Sequence, residues 1–512
     1  MNDQFFIYLA IGIYFLVLIG IGVAAYLRTS DHEGYMLANR GLPGWVAALS
    51  AGASDMSGWL IMGLPGAIYV AGLIEAWTAI GLTIGAFVNW LIVAPRLRAY
   101  SQVSRNSITL PSFFENRTRD SSRVLRIVSS VIVLVFFTLY VSSGMVAGGV
   151  FFESSFEADY LTGMLIVAAV TLLYTLFGGF LGASLTDVVQ GLMMFIALII
   201  VPIFAVISVG GWGEAVSLIN TLEPNHLSFS GGGLTTASII VIASGIGWGL
   251  GYFGQPHIVV RFMALRAPSD AKQARRVGLA WQAISMAGTV FAGLIGVAWV
   301  HQNNVDLADP ETIVLLMSQA LLHPLFAGFV LAAVLAAIMS TFSSQLIVCS
   351  SALVEDIYKV VRKDPPSDRR LVLMGRGAVL LVAIIAGLLA LNPNGTILEL
   401  VGFAWAGFGA AFGPLVLLSL YYRKLTNWGA LSGMVVGAVV VFVWAELTGG
   451  IFDLYEIVPG FILSLLVTLI VSAVTYKPNP EVEQEFERAA YLAKNRKAFD
   501  ELMASEKVTA NA

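Results

Sequence analysis

The chain has 512 residues, of which 58% are hydrophobic and only 12% charged, with a formal charge of −4 and a mean hydropathy of +0.83. A soluble domain carries about twice that share of charge, so a water-soluble globular protein is excluded, and nothing in the balance points to nucleic acid. One cysteine, Cys349, excludes an internal disulfide and a cysteine metal cluster.

Apolar runs of about 20 residues recur from end to end, each long enough to cross a bilayer as a helix. They fall near 5–27, 45–73, 76–95, 124–151, 160–178, 186–210, 235–256, 278–301, 324–352, 375–392, 397–421, 427–449 and 457–476. The pattern predicts an all-α polytopic membrane protein with about 13 transmembrane helices. The first run has no basic leader and is too long for a signal peptide, so it reads as a retained span. The organisation expected is an extra N-terminal helix and loop over 1–44, helices over 45–210 and 235–421, two C-terminal helices over 427–476 and a tail over 477–512. All 28 Lys and Arg fall in alternate connections (28–44, 96–126, 257–277, 355–376, 423–424) or in the tail. Basic loops stay cytoplasmic, which puts the N-terminus outside and the C-terminus inside. The tail "EVEQEFERAAYLAKNRKAFDELMASEK" reads as a solvated helix, with a regulatory or partner-binding role as the alternative.

Two spans are poor helices. "SAGASDMSG" interrupts 45–73 and buries Asp55; "ASGIGWGLGYFGQP" crowds Gly245, Gly247, Gly249, Gly251 and Gly254 ahead of Pro256. Each internal glycine costs a helix about 1 kcal/mol relative to Ala. Irregular backbone at membrane depth survives only where it lines a protein-buried or water-filled site. These are the second and seventh spans, so they cross the membrane in opposite directions. That is the layout of two inverted repeats of five helices, each opening with a discontinuous helix. Glycines that merely let helices pack closely are the plainer reading. A dinucleotide-binding loop fails, because no strand precedes it and Leu250 stands where a third glycine belongs.

The ninth span holds "AAIMSTFSSQ", with hydroxyls at Ser340, Thr341, Ser343 and Ser344. The carbonyl of Ala337 shares a face with the first two. An isolated hydroxyl in an apolar helix usually bonds back to its own backbone; a cluster of four weakens that reading. Hydroxyls together with carbonyls from an unwound helix make a neutral oxygen cage, which suits Na⁺ better than Ca²⁺, whose sites recruit several carboxylates. The five histidines (His32, His226, His257, His301, His323) show no metal-binding spacing. Asp55 is the deepest acid, and an intramembrane acid is by default functional. Three roles are open to it: attracting an ion, carrying a proton, or bonding the exposed amides of the break. Asp187, in "GASLTDVVQG", reads either as an acid at a helix N-terminus, favoured by the dipole, or as part of an ion exit route. Glu75, Glu399 and Glu446 fall near helix ends. Trp59, Tyr140, Trp248 and Tyr252 map to mid-depth, which favours lining a solute pocket over anchoring at the interface.

Four stretches carry a family likeness: "SAGASDMSGWLIMGLPGA", "GGFLGASLTDVVQ" at Gly178–Gln190, "KLTNWGALSG" at Lys424–Gly433 and "LAAIMSTFSSQL". With them, residues 1–476 resemble the sodium/solute symporter family, and the first stretch is most similar to its proline-carrying branch. The resemblance implies a LeuT-like core of two inverted five-helix repeats. It implies Na⁺ held by carbonyls of Ala53, Met56 and Ala337 and hydroxyls of Ser340 and Thr341. Ser57, Gly58, Trp59, Tyr140, Trp248, Tyr252 and Pro256 would form or border the substrate site. Asp55 would be needed for coupling, Asp187 would influence the ion path, and Arg40 would affect coupling from the cytoplasmic side. The implied activity is secondary active transport: sodium-coupled symport of L-proline across a bacterial inner membrane by alternating access. Its partners are L-proline, Na⁺ as co-substrate and membrane lipid; it has no cofactor and is not an enzyme. The residues alone stop at a sodium-coupled transporter of a small solute. Pantothenate, a sugar, a carboxylate, or a proton in place of sodium stay open. A membrane sensor and an intramembrane enzyme have less support, since the tail shows no kinase or phosphorelay motif and no nucleophile–base pair is visible.

Overall fold

The structure, a computed structural model, describes residues 3–27, 32–361, 367–393 and 395–511. Of the basic connections expected above, Arg28, Arg362 and Lys363 lie outside them. The described chain is helical, with one isolated strand-like bridge, Leu42 to Leu265. Eleven described helices are long and apolar enough to cross a membrane. Two of the expected spans do not qualify by length, so a count of thirteen is not reached. The span at 45–73 is broken, and the helix at 160–178 appears as Tyr160–Leu176, shorter than each of the eleven. Leu16, Ile207 and Val474 are exposed on the outside of the bundle, as a surface facing hydrocarbon requires.

Both irregular spans are interrupted at membrane depth. The first runs as an α-helix over Gly44–Asp55, leaves helical geometry at Met56 (φ −83°, ψ 83°), and resumes through a wide turn at Trp59–Gly63 into Leu64–Ala71. The second runs over Thr236–Gly247, tightens to a 3₁₀ segment at Trp248–Phe253, and restarts at Pro256 as Pro256–Met263. Pro256 sits where a proline belongs, in a first turn whose amides have no intrahelical partner.

The glycines of this second break do not unwind it; they let other helices in. A Cβ on Gly249 would lie 2.3 Å from the Gly81 carbonyl oxygen, and one on Gly85 would lie 2.2 Å from that of Gly249. One on Gly251 would strike the Trp405 indole at 1.9 Å. The plainer reading of the glycine run is therefore correct for these positions, and the interruption itself belongs to Gly254–Gln255.

Three sequence expectations are corrected. The loop placed between 178 and 186 shrinks to one residue, Gly179 (φ 57°, ψ −160°), because glycine adopts that backbone without a Cβ clash. Asp187 is thus two turns inside a helix, not at its N-terminus. Arg261, assigned to a cytoplasmic loop, is buried in the half-helix Pro256–Met263. Finally, the tail is solvated on one side only; its apolar face packs on the bundle. It folds as Pro480–Leu492 and Arg496–Asn511. Phe486 lies 5.0 Å from the Arg96 guanidinium and 5.3 Å from that of Arg117, and buried Phe499 lies 4.9 Å from that of Arg98. Arg119 pairs with Glu481 and Glu485 at 2.8 and 2.5 Å. The apolar stripe Val482, Phe486, Ala489 had the helical spacing of a buried face.

On the face opposite the tail, a short turn Pro310–Thr312 carries buried Glu311. Its carboxylate accepts the amides of Ile397 and Leu398, at 2.9 and 3.2 Å, at the start of the helix Ile397–Tyr421. Burial pushes the Glu311 carboxyl up to about 7, against the hydrogen bonds of those amides.

Two outcomes are expected. Gly85→Ala should destabilise the fold by about 1–3 kcal/mol, because the obstacle is backbone. Gly12→Ala, with nothing within 4 Å, should be neutral; thermal unfolding in detergent compares them. Unfolded Glu311, with its ordinary value near 4.5, loses its proton before the folded form does. Stability should therefore fall as pH rises from about 4.5 to 7, and Glu311→Gln should abolish that part of the slope.

Candidate functional site

The break in the first span faces the helix Pro324–Ser351 on one side and the second broken span on the other. Toward Pro324–Ser351, the Ser340 hydroxyl donates to the Ala53 carbonyl at 2.6 Å and contacts the Ala337 carbonyl at 3.1 Å. Thr341 Oγ1 lies 3.5 Å from the same Ala337 oxygen. Four of the five oxygens expected to hold sodium are therefore gathered across two helices. A hydroxyl bonding only to its own helix would not reach Ala53. Met56, the fifth, is the first residue beyond the helical turn and is fully buried. The other two hydroxyls of the cluster go elsewhere: Ser343 bonds back to Ser340, and Ser344 accepts from Arg261 at 2.7 Å.

Toward the second break, the side chains are aromatic. The Trp59 indole donates to the Asp55 carbonyl at 3.1 Å, and the Tyr140 hydroxyl lies 3.4 Å from that oxygen. These contacts add to the Ser57 amide, which already donates to that oxygen at 3.0 Å across the interruption. Trp59 and Trp248 have ring centroids 6.2 Å apart, and Trp248 lies 6.3 Å from Trp405. Trp405 donates to the Trp248 carbonyl at 2.8 Å and meets Tyr252 edge-on at 5.2 Å. The Tyr252 hydroxyl donates to the Asp55 carboxylate. Ser57 and Gly58 sit in the break; a Cβ on Gly58 would meet Ala147 at 3.0 Å and Ile338 at 3.3 Å. Pro256 lies one residue past the second interruption. The expected substrate-bordering residues thus flank both breaks.

Asp187 and Arg40 lie apart from this centre. Asp187 pairs with Arg261 at 2.8 Å and accepts from Ser50 at 2.7 Å, all three buried. Ser50 lies one turn before Ala53 on the same helix, and Ser344 one turn after Ser340 on its own, so this polar cluster is next along the chain to the oxygens expected to hold sodium. Arg40 is buried and ties three segments together: it donates to Ser101 at 3.0 Å, to the Met263 carbonyl at 3.0 Å and to the Ser107 carbonyl at 2.7 Å.

Residues not anticipated from sequence also enter the site. Gln282 donates to the Tyr252 hydroxyl at 3.0 Å, and Asn89 to the Tyr252 carbonyl at 2.9 Å. Thr289 donates to the Leu60 carbonyl at 2.9 Å, an oxygen at the wide turn. Each is a polar residue in an apolar span, Gln282 and Thr289 in the same one, which was the available signal: such groups face the protein interior and find partners.

This geometry can be set beside known proteins. A profile of the sodium:solute symporter family matches residues 35–437. The osmoregulated proline transporter OpuE of Bacillus subtilis is 52% identical over 477 residues, covering 92% of this chain and 95% of that one. The high-affinity proline transporter PutP of the same organism is 53% identical over 467 residues, covering 91% and 98%. A sodium/proline symporter of Staphylococcus aureus is 49% identical over 499 residues, covering 96% of each. Among solved structures, a substrate-bound Na⁺-coupled sialic acid symporter superposes with a TM-score of 0.79 at 18% identity, covering 93% of this chain and 99% of that one. A nucleobase-cation-symport-1 family transporter gives 0.55 at 14%, covering 89% and 98%. The fold is therefore the LeuT-like arrangement of inverted five-helix repeats. With its broken helices, its oxygen cluster and a profile match over most of its length, the chain belongs to the sodium:solute symporter family.

Proposed function

We propose that this protein is a secondary active transporter that couples inward Na⁺ movement to uptake of L-proline. The observation that carries the ion is the contact between Ser340 and the Ala53 carbonyl, which gathers neutral oxygens from two helices at a break. Support for the cargo comes from relatives near 50% identity whose names specify proline. In this reading Na⁺ is held by the carbonyls of Ala53, Met56 and Ala337 and the hydroxyls of Ser340 and Thr341. Ser57, Gly58, Trp59, Tyr140, Trp248, Tyr252 and Pro256 border the proline. Na⁺ binds first and pins the broken span against Pro324–Ser351. That orders the neighbouring pocket, and the loaded protein rocks inward. The moving parts are the repeats at 45–210 and 235–421, with 1–44, 427–476 and the tail outside them. Asp187 and Arg261 lie where the ion leaves, and Arg40 holds the cytoplasmic ends of both repeats. Cytoplasmic basic loops place the N-terminus outside and the C-terminus inside a bacterial inner membrane. Transport of this kind makes and breaks no covalent bond and needs no cofactor.

The energetics suffice. A membrane potential of ~100 mV supplies about 2.3 kcal/mol per charge moved, and a tenfold Na⁺ gradient adds about 1.4 kcal/mol. One Na⁺ per solute then concentrates proline roughly several-hundred-fold at equilibrium.

In proteoliposomes, labelled L-proline should accumulate under an inward Na⁺ gradient and not under an equal K⁺ gradient at the same pH. Accumulation driven equally by a proton gradient alone would overturn the choice of ion, and no accumulation from folded protein would overturn the cargo. Thr341→Val keeps the side-chain shape and removes one oxygen. It should raise the Na⁺ concentration for half-maximal uptake by about tenfold or more, the scale of one lost polar ligand, with little change in thermal stability.

A further inference from the structure

A narrow cavity starts at the second break. Pro256 lines it, together with Ser351 and, toward the side that carries the tail, Thr109, Leu110, Pro111 and Asp356. Its volume is about 20 Å³, room for one water and none for an amino acid. The way from the break toward the tail is shut in this structure.

What shuts it is the helix Leu110–Thr118. Its first residues form the cavity wall, and its cap residue Thr109 donates to Asp356 at 2.7 Å. Asp356 also pairs with Arg126 at 2.8 Å. Thr109 can therefore let go without leaving a buried charge unpaired, which is the costly case; one hydrogen bond is lost and the ion pair stays. The other end of the helix has a firmer seat. Arg117 donates to the carbonyls of Ser419 and Tyr422, at 2.9 and 3.1 Å, where Ile397–Tyr421 ends.

The tail grips that seated end. Arg119, which closes the helix, pairs with Glu481 and Glu485, and Phe486 covers Arg117. The second tail helix is anchored elsewhere. Leu492 and Phe499 form a small apolar cluster with Ala99 and Ala267, separate from the main core. Glu506 accepts from Gln102 at 2.7 Å, and Phe499 lies over Arg98, whose Nε donates to the Leu265 carbonyl at 2.5 Å. Leu265 and Ala267 directly follow the half-helix Pro256–Met263. The tail thus ties the helix that closes the cavity to the end of the half-helix that opens it.

We propose that Leu110–Thr118 is a lid on the solute's way out and that the tail is the strap that holds the lid to the half-helix. The inference rests on the proposed function, in which the tail faces the cytoplasm and proline leaves on that side. Parting the lid from the half-helix widens the cavity, and the strap sets how readily they part.

The test reads opening of the cavity as alkylation by a water-soluble maleimide, on the full-length protein without Na⁺ or proline. Cys349, the one native cysteine, is replaced by Ala. Ser351→Cys then puts a thiol on the cavity wall. In a separate protein, Ser318→Cys puts a buried thiol in Ile313–Leu321, next to the turn on the face opposite the tail. Glu485→Gln with Phe486→Ala should speed the reaction at Ser351→Cys about tenfold, the scale of one partly buried ion pair and one ring over a cation. The reaction at Ser318→Cys should change less than twofold. Arg119→Gln, which leaves the tail intact, should speed Ser351→Cys about threefold and carries the test if the double variant does not fold. An unchanged rate at Ser351→Cys would overturn the strap. Equal acceleration of both thiols would also overturn it, since it marks general loosening. The readout needs no cargo, so the expected acceleration in a protein that carries no proline would overturn the cargo reading alone.

Discussion

A helix that stops halfway through a bilayer leaves amides and carbonyls that hydrocarbon cannot satisfy. Much else in this protein answers that one constraint. The carbonyls around the first break are met by Trp59 of the same span and by Ser340, Tyr140 and Thr289, drawn from three other helices. Each of the latter three bonds fixes the position of another helix. The break is thus both the weak point of the chain and the point around which the bundle is assembled. An ion able to replace hydrogen bonds to those oxygens acts on the whole arrangement at once.

Around this centre the packing is set by small residues. Gly81, Gly85 and Gly249 bring two helices to backbone contact. Gly251 admits the Trp405 ring, which in turn holds Trp248 and Tyr252. Helices in lipid gain nothing from burying apolar surface against one another, so close approach and interhelical hydrogen bonds carry the association. The aromatic wall of the site is a product of that glycine packing. It does not depend on aromatic propensity.

Much of this was legible in the chain itself. Span positions, the segregation of basic residues and both breaks follow from composition and spacing. Ser340 and Thr341 drew notice because four hydroxyls crowd one stretch of an apolar helix, whereas Ala53, across the break from them, came from the family resemblance. What was not legible depended on which faces meet. Nothing in "GASLTDVVQG" tells that Gly179 alone turns the chain, so Asp187 was placed at a helix end. Arg261 followed a proline and looked like a loop residue, whereas the proline opens a new half-helix whose face is buried against Ser50, Asp187 and Ser344. Gln282 gave only the weak signal of one amide in an apolar run. Its partner lies 30 residues away in sequence, and only the folded bundle shows it.

The seating of the tail has a consequence for biosynthesis. Arg96, Arg98 and Arg117 emerge early in synthesis, yet the rings that cover them, Phe486 and Phe499, belong to the final stretch of the chain. At about 5–20 residues per second, those guanidinium groups wait on the order of tens of seconds for their lids. Until then they form an uncapped cationic ledge at the membrane surface, where anionic headgroups are the nearest counter-charge. The face that carries the tail is therefore completed last, by displacement of lipid or water, and a ribosome that stops short of residue 486 leaves a protein whose spans are all in place and whose tail-bearing surface is unfinished.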